Sequence, residues 1–175
     1  MGDLLYELTE WLRTTPLTEF ALAMSEAPLT IWITTNFWAI PILQIMHILS
    51  IAGSFVAVLM INLRIFGLSD HATMAVTVER YSKVLWASLA VVALSGVLML
   101  FGDTVRNLLN SVFWIKMIMV VIGIVSALLF LNAMKRRLAS GGEVVGAGFK
   151  ATALFLAILW CVIMLAGRWI AYAPG

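Results

Sequence analysis

Gln44, His47, Ser50 and Ser54 recur at spacings of three and four, with Gly53 and Ala57 beside them. Such spacing gathers side chains on one side of a helix. A neutral imidazole there can offer one nitrogen to iron or copper while the other donates to a serine or a carbonyl, which fixes the tautomer. The structural alternative is a histidine that only packs against small residues of a neighbouring helix. Met119, Met164, Met99 and Cys161 supply soft donor atoms further along. Imidazole, thioether and thiolate suit Cu(I), or an iron porphyrin with His and Met axial ligands. The chain has ten Met, however, and filling gaps in apolar cores is the ordinary role of that residue. Lys116 follows Phe113-Trp114-Ile115, and Arg168 sits in Gly167-Arg168-Trp169. Long basic chains beside tryptophans either snorkel to the headgroups or hold an anionic group such as a haem propionate, or a quinone carbonyl. The candidate cofactor-binding residues are therefore His47, Lys116, Arg168, Gln44 and Ser50, and the candidate metal ligands His47, Met164 and Met119.

Other chemistry is thinly represented. Glycine-rich phosphate loops, a nucleophile elbow and paired catalytic carboxylates are absent from the sequence. His71 stands 24 residues from His47, more than about 20 Å by helix rise, so the two are not expected to share a metal. His71 reads as a surface residue, with Ser69 and Asp70 capping the helix that follows.

The elements that must position these residues follow from composition. Of 175 residues, 63% are hydrophobic and 11% charged, against about 25% charged in a soluble domain. A water-soluble globule could not cover itself at this composition, and disorder would leave too much apolar surface unburied. No Asp, Glu, Lys or Arg occurs between Glu26 and Arg64, Lys83 and Asp103, Lys116 and Lys135, or Lys150 and Arg168. A helix crosses the hydrocarbon core with about 20 mostly apolar residues, and these runs lack the alternation of barrel strands. The expected fold is all-α: an integral membrane four-helix bundle with spans near 37–62, 84–101, 112–132 and 151–172. No acid falls in any span, which disfavours a carboxylate relay. His47 lies nine residues past Trp38, or about 14 Å along the helix.

Residues 1–36 form a separate segment. Leu4, Leu5, Leu8, Trp11 and Leu12 fall on one helical face, opposite Asp3, Glu7 and Glu10, as in a helix lying on a membrane surface or against a partner. The segment lacks the basic start and apolar core of a cleavable signal. Residues 139–148 (ASGGEVVGAG) read as a flexible loop, and the lone Cys161 has no internal disulfide partner. Arg64, Arg80, Lys83, Lys135, Arg136, Arg137 and Lys150 crowd two connections, against Arg13, Arg106 and Arg168 on the other side. Basic loops stay cytoplasmic, so both ends are expected outside, in a bacterial inner membrane. A net charge of +2 spread in this way leaves no basic face for a nucleic-acid partner.

The stretch 40–68 (IPILQIMHILSIAGSFVAVLMINLRIFGL), then Ser95-Gly96-Val97-Leu98, Phe113-Trp114-Ile115-Lys116-Met117 and Gly167-Arg168-Trp169-Ile170-Ala171-Tyr172, resembles an uncharacterised bacterial family of small four-helix membrane proteins. More distantly it resembles the copper resistance D family and the HemJ-type protoporphyrinogen oxidases. Only His47 and Lys116 correspond to the early-helix His and later-helix Lys of those two, with Arg168 belonging to the nearer family. The HemJ likeness implies a b-type haem, and the copper likeness implies copper passage across the inner membrane. The chain departs from both: it has no second transmembrane His, and the copper proteins usually have more helices. Three classes stay open. One is a redox subunit in which His47 binds haem b and electrons pass between an outer-face partner and quinone. The second is a copper-handling permease using His47, Met119, Met164 and Cys161. The third is a cofactor-free anchor for other subunits.

Overall fold

A computed structural model describes residues 2–69, 72–142, 146–170 and 172. Asp70 and His71, and hence the surface reading of His71, lie outside the described residues. The described chain is all-α. Four helices are long and apolar enough to cross a membrane: α4 (Ala39–Ile65), α5 (Met74–Gly102), α7 (Ser111–Ala139) and α8 (Ala147–Trp169). The protein is a multi-pass membrane protein in a lipid bilayer. Four shorter helices accompany them: α1 (Gly2–Arg13), α2 (Leu17–Ser25), α3 (Pro28–Thr35) and α6 (Thr104–Leu108). The sequence announced α1 alone among these. The others are too short to show a clear apolar period, although Pro28 occupies the first turn of α3, where its missing N–H costs nothing.

The long helices overrun the apolar stretches, because a charge ends a membrane span without ending a helix. α5 begins ten residues before the expected span and carries Glu79 and Lys83 one turn apart, paired at 2.8 Å. Its first turn is capped by Thr73, whose hydroxyl accepts from the Val76 N–H at 3.4 Å. Ser69 is not the cap; its carbonyl instead accepts from Arg64 at 2.8 Å. α4 and α7 stop at glycines. Gly67 and Gly141 both have φ of +73°, the left-handed conformation that admits glycine readily. At each end a 6→1 bond closes the helix, Leu68 N–H to Leu63 C=O at 2.8 Å and Gly142 N–H to Arg137 C=O at 3.0 Å. This is the Schellman arrangement that satisfies the last carbonyls.

The residues fall into two compact units that cut across chain order. The first comprises residues 1–48, 91–118 and 164–175, and the second residues 49–90 and 119–163. The second holds a continuous apolar core in which segments of all four long helices meet. Ala57, Val58 and Ile61 come from α4, Val78 and Leu85 from α5, Ala127, Phe130 and Met134 from α7, and Leu156 and Trp160 from α8. Gly123 lets α7 and α8 touch there: a Cβ at that position would stand 2.8 Å from the Trp160 ring.

The first unit is seamed by polar contacts. Asn110 caps α7, its Oδ1 accepting from the Val112 N–H at 2.9 Å. The hydroxyls of Thr9 on α1 and Ser111 on α7 lie 3.1 Å apart, and both reach the Leu5 carbonyl, at 2.9 and 3.1 Å. The Ser111 backbone N–H, one of the donors a helix start leaves without a partner, points to Thr9 Oγ1 at 3.4 Å. α1 therefore docks on its own chain through Thr9 and Leu12, leaving Leu4, Leu8 and Trp11 exposed. The apolar face read from the sequence is divided between these two surroundings.

Candidate functional site

All four long helices contribute to the polar region of the first unit. α4 and α5 run antiparallel, with Ile40 against Gly102 and His47 against Ser95 and Gly96. His47 is half-buried, and its Nδ1 lies 2.9 Å from Ser95 Oγ. Ser95 is itself buried, 1% exposed, and its hydroxyl donates to the Val91 carbonyl one turn back at 2.6 Å. The Ser95 hydroxyl also lies 3.3 Å from the Val92 carbonyl. Gly96 makes room for the ring: a Cβ there would stand 3.2 Å from His47 Cε1. No hydrogen bond to Nε2 is formed by any described residue.

α7 and α8 make a corresponding pair. Lys116 is half-buried and its stem crosses α8 at Gly167, where a Cβ would lie 3.5 Å from both Cε and Nζ. Its ammonium lies within electrostatic range of the His47 ring. No described residue offers it a carboxylate or a hydrogen bond. Each of the two helix pairs thus seats a nitrogen-bearing side chain over a glycine of the partner helix, and both groups keep capacity for a ligand.

The remaining candidates are placed differently. Arg168 is exposed and turned along its own helix, donating to Tyr172 Oη at 3.0 Å with its guanidinium 5.4 Å from that ring. Gln44 is exposed although the stripe suggested an inward face. The stripe is real for Ser54, which is buried and donates to the Ile51 carbonyl at 2.8 Å. Ser50, half-buried, and Met119 belong to the second unit, where Met119 packs against the apolar core. Cys161, also of that unit, is exposed. Met164 is half-buried in the first unit. Among the described residues no three His, Cys, Asp or Glu side chains form a metal-holding group. Sequence reasoning missed Ser95 and Gly96 as parts of the site. Their signal was the Ser-Gly pair within an otherwise apolar span, a small polar step that another helix can approach closely.

No curated protein and no solved structure matches the chain. Residues 30–173 match DUF6644, a family of unknown function; this range holds every long helix and the whole His47–Lys116 site, and the chain belongs to that family.

Proposed function

We propose that this protein is a membrane subunit of a redox complex that binds haem b through His47 and passes electrons between an outer-face partner and the quinone pool. The observation that carries the reading is the pair of uncommitted nitrogens in the first unit, His47 Nε2 and the Lys116 ammonium. A histidine and a lysine held among apolar helices are costly unless they serve a ligand. The donor set fits the group. His47 would hold the iron through Nε2 while Ser95 holds the other side of the ring, and Lys116 would neutralise a propionate or donate to a quinone carbonyl. Bound haem supplies a one-electron carrier that the polypeptide itself lacks. Met164, on α8 of the same unit, would be the candidate for completing the iron's coordination.

The orientation we propose follows the basic residues. The connections rich in Arg and Lys lie in the cytoplasm of a bacterial cell and both chain ends outside its inner membrane. A reporter active only in the cytoplasm is expected to work when fused after Arg137 and to fail when fused after Gly175. Activity at Gly175 overturns the orientation.

The absorption spectrum of the purified protein tests the cofactor. A Soret band is expected, lost in His47→Ala while expression and insertion persist, because packing of apolar and small residues holds the helices. A wild type without haem, or a His47→Ala variant that keeps it, sinks the redox reading. The second reading, a cofactor-free anchor for a larger complex, then takes its place. The exposed Leu4, Leu8 and Trp11 of α1 favour that alternative.

A further inference from the structure

The hydrogen bonds around Ser95 specify where the His47 proton sits. A serine hydroxyl carries one hydrogen. Ser95 Oγ lies 2.6 Å from the Val91 carbonyl oxygen, and two oxygens that close repel unless a proton lies between them. The hydroxyl hydrogen is thereby committed to Val91, the back-bond that serines often make within helices. Facing His47 Nδ1 at 2.9 Å, Ser95 then presents only lone pairs, and the Val92 carbonyl, 3.3 Å from the same hydroxyl, can likewise only accept. The ring nitrogen turned to this surface must donate.

We infer that Ser95 is a positioning residue that locks neutral His47 as the Nδ1–H tautomer, leaving the Nε2 lone pair as a preset donor for a metal centre or a protonated ligand. The inference deepens the haem reading and rests on it for the ligand's identity, but the tautomer itself belongs to the protein alone. In water a histidine prefers its proton on Nε2, so the lock works against the intrinsic preference. Two features maintain it. Ser95 is buried on α5, and Gly96 lets the ring lie close enough that a Cβ would stand 3.2 Å from Cε1. The acceptor is a neutral hydroxyl rather than a carboxylate. The imidazole therefore gains little anionic character, and would be a weaker donor to iron than the histidine of a carboxylate–histidine pair.

The test is nitrogen-15 NMR of histidine-labelled full-length protein, prepared haem-free in liposomes at a pH where the imidazole is neutral. His71→Gln leaves His47 as the only labelled signal. A protonated Nδ1 with an unprotonated Nε2 is expected. Ser95→Ala is expected to lose that pattern in favour of protonated Nε2, and Ser95→Thr, which keeps a hydroxyl able to back-bond, to retain it. Protonated Nε2 in the otherwise wild-type chain overturns the inference. So does an unchanged pattern in Ser95→Ala, which would show that the proton is held on Nδ1 without Ser95. Because no haem is needed, this result and the absorption spectrum fail independently.

Discussion

The two compact units are built from parts of the same four long helices and hold them in different ways. In the second unit large apolar side chains interlock, Phe130, Met134, Leu156 and Trp160 among them. In the first the defining contacts are between polar groups at fixed distances: Thr9 with Ser111, Asn110 with the α7 backbone, His47 with Ser95. Dispersion contacts are numerous and individually small, so an apolar core tolerates exchange of one residue type for another of similar volume. A hydrogen bond in a water-poor region is specific to its partner, and leaving one group without it is costly. The difference teaches that the apolar core and the candidate site are housed separately, and that they should respond to different substitutions.

The largest expected effect on stability is in the second unit. Trp160 is 8% exposed and lies against Gly123. Trp160→Ala should lower stability by about 3–5 kcal/mol, the range for removing a buried aromatic ring. Thermal unfolding in detergent micelles checks it. The His47 tautomer should stay as in the wild type under conditions where the variant is folded. A changed His47 signal would erase the separation of roles, since it would tie the site to a core residue that bears no polar contact to it.

How much of this was legible beforehand differs between the units for the same reason. The second is built from apolar runs, and a run of about 17 or more uncharged residues is readable from one sequence. The four long helices were therefore visible, although their ends were not. Charges such as Glu79 and Lys83 marked the limits of the apolar stretches, while Thr73, Gly67 and Gly141 marked the limits of the helices. His47 and Lys116 stood out because ionisable groups are rare in such runs. Their partners did not, because contacts between helices depend on register. Nothing in the spacing of α4 tells which serine of another helix will meet residue 47. Gln44 shows the same limit from the other side. It shares a helical stripe with His47, yet it is exposed, since a stripe wider than one neighbour cannot be wholly covered.

Smaller effects are expected from the polar unit. Gly96→Ala puts a Cβ 3.2 Å from His47 Cε1, so the ring must shift by a few tenths of an ångström. Added volume in a packed site costs about 1–3 kcal/mol. The larger consequence is for the bond to Ser95, which the shift lengthens. The proton population on Nδ1 should fall in the same NMR measurement while the helices stay inserted. Thr9→Val keeps shape but removes the hydroxyl that meets Ser111 and the Leu5 carbonyl. The loss should be about 1–3 kcal/mol, because the buried Ser111 N–H also loses its acceptor. It should appear as faster proteolysis within α1 at unchanged unfolding temperature of the remainder. If unfolding of the whole protein shifts as far as in Trp160→Ala, the docking of α1 is a core interaction and the contrast between the units collapses.

The smallest effect on stability is expected at Lys116. Its ammonium has no described partner, and its methylenes cross α8 at Gly167. Lys116→Met keeps those methylene contacts and removes only the charge, in a region where methionine is comfortable. Folding and insertion should therefore be unchanged or slightly improved, because an unpaired cation is no longer held among apolar helices. If Lys116 grips a propionate or a quinone carbonyl, the same substitution should weaken cofactor or quinone retention, read as loss of the Soret band on washing or as faster quinone exchange. Arg168→Gln should have less effect, since the guanidinium is exposed and engaged with Tyr172. Equal retention in wild type, Lys116→Met and Arg168→Gln would remove both cations from the site and return Lys116 to the role of a side chain snorkelling to the headgroups.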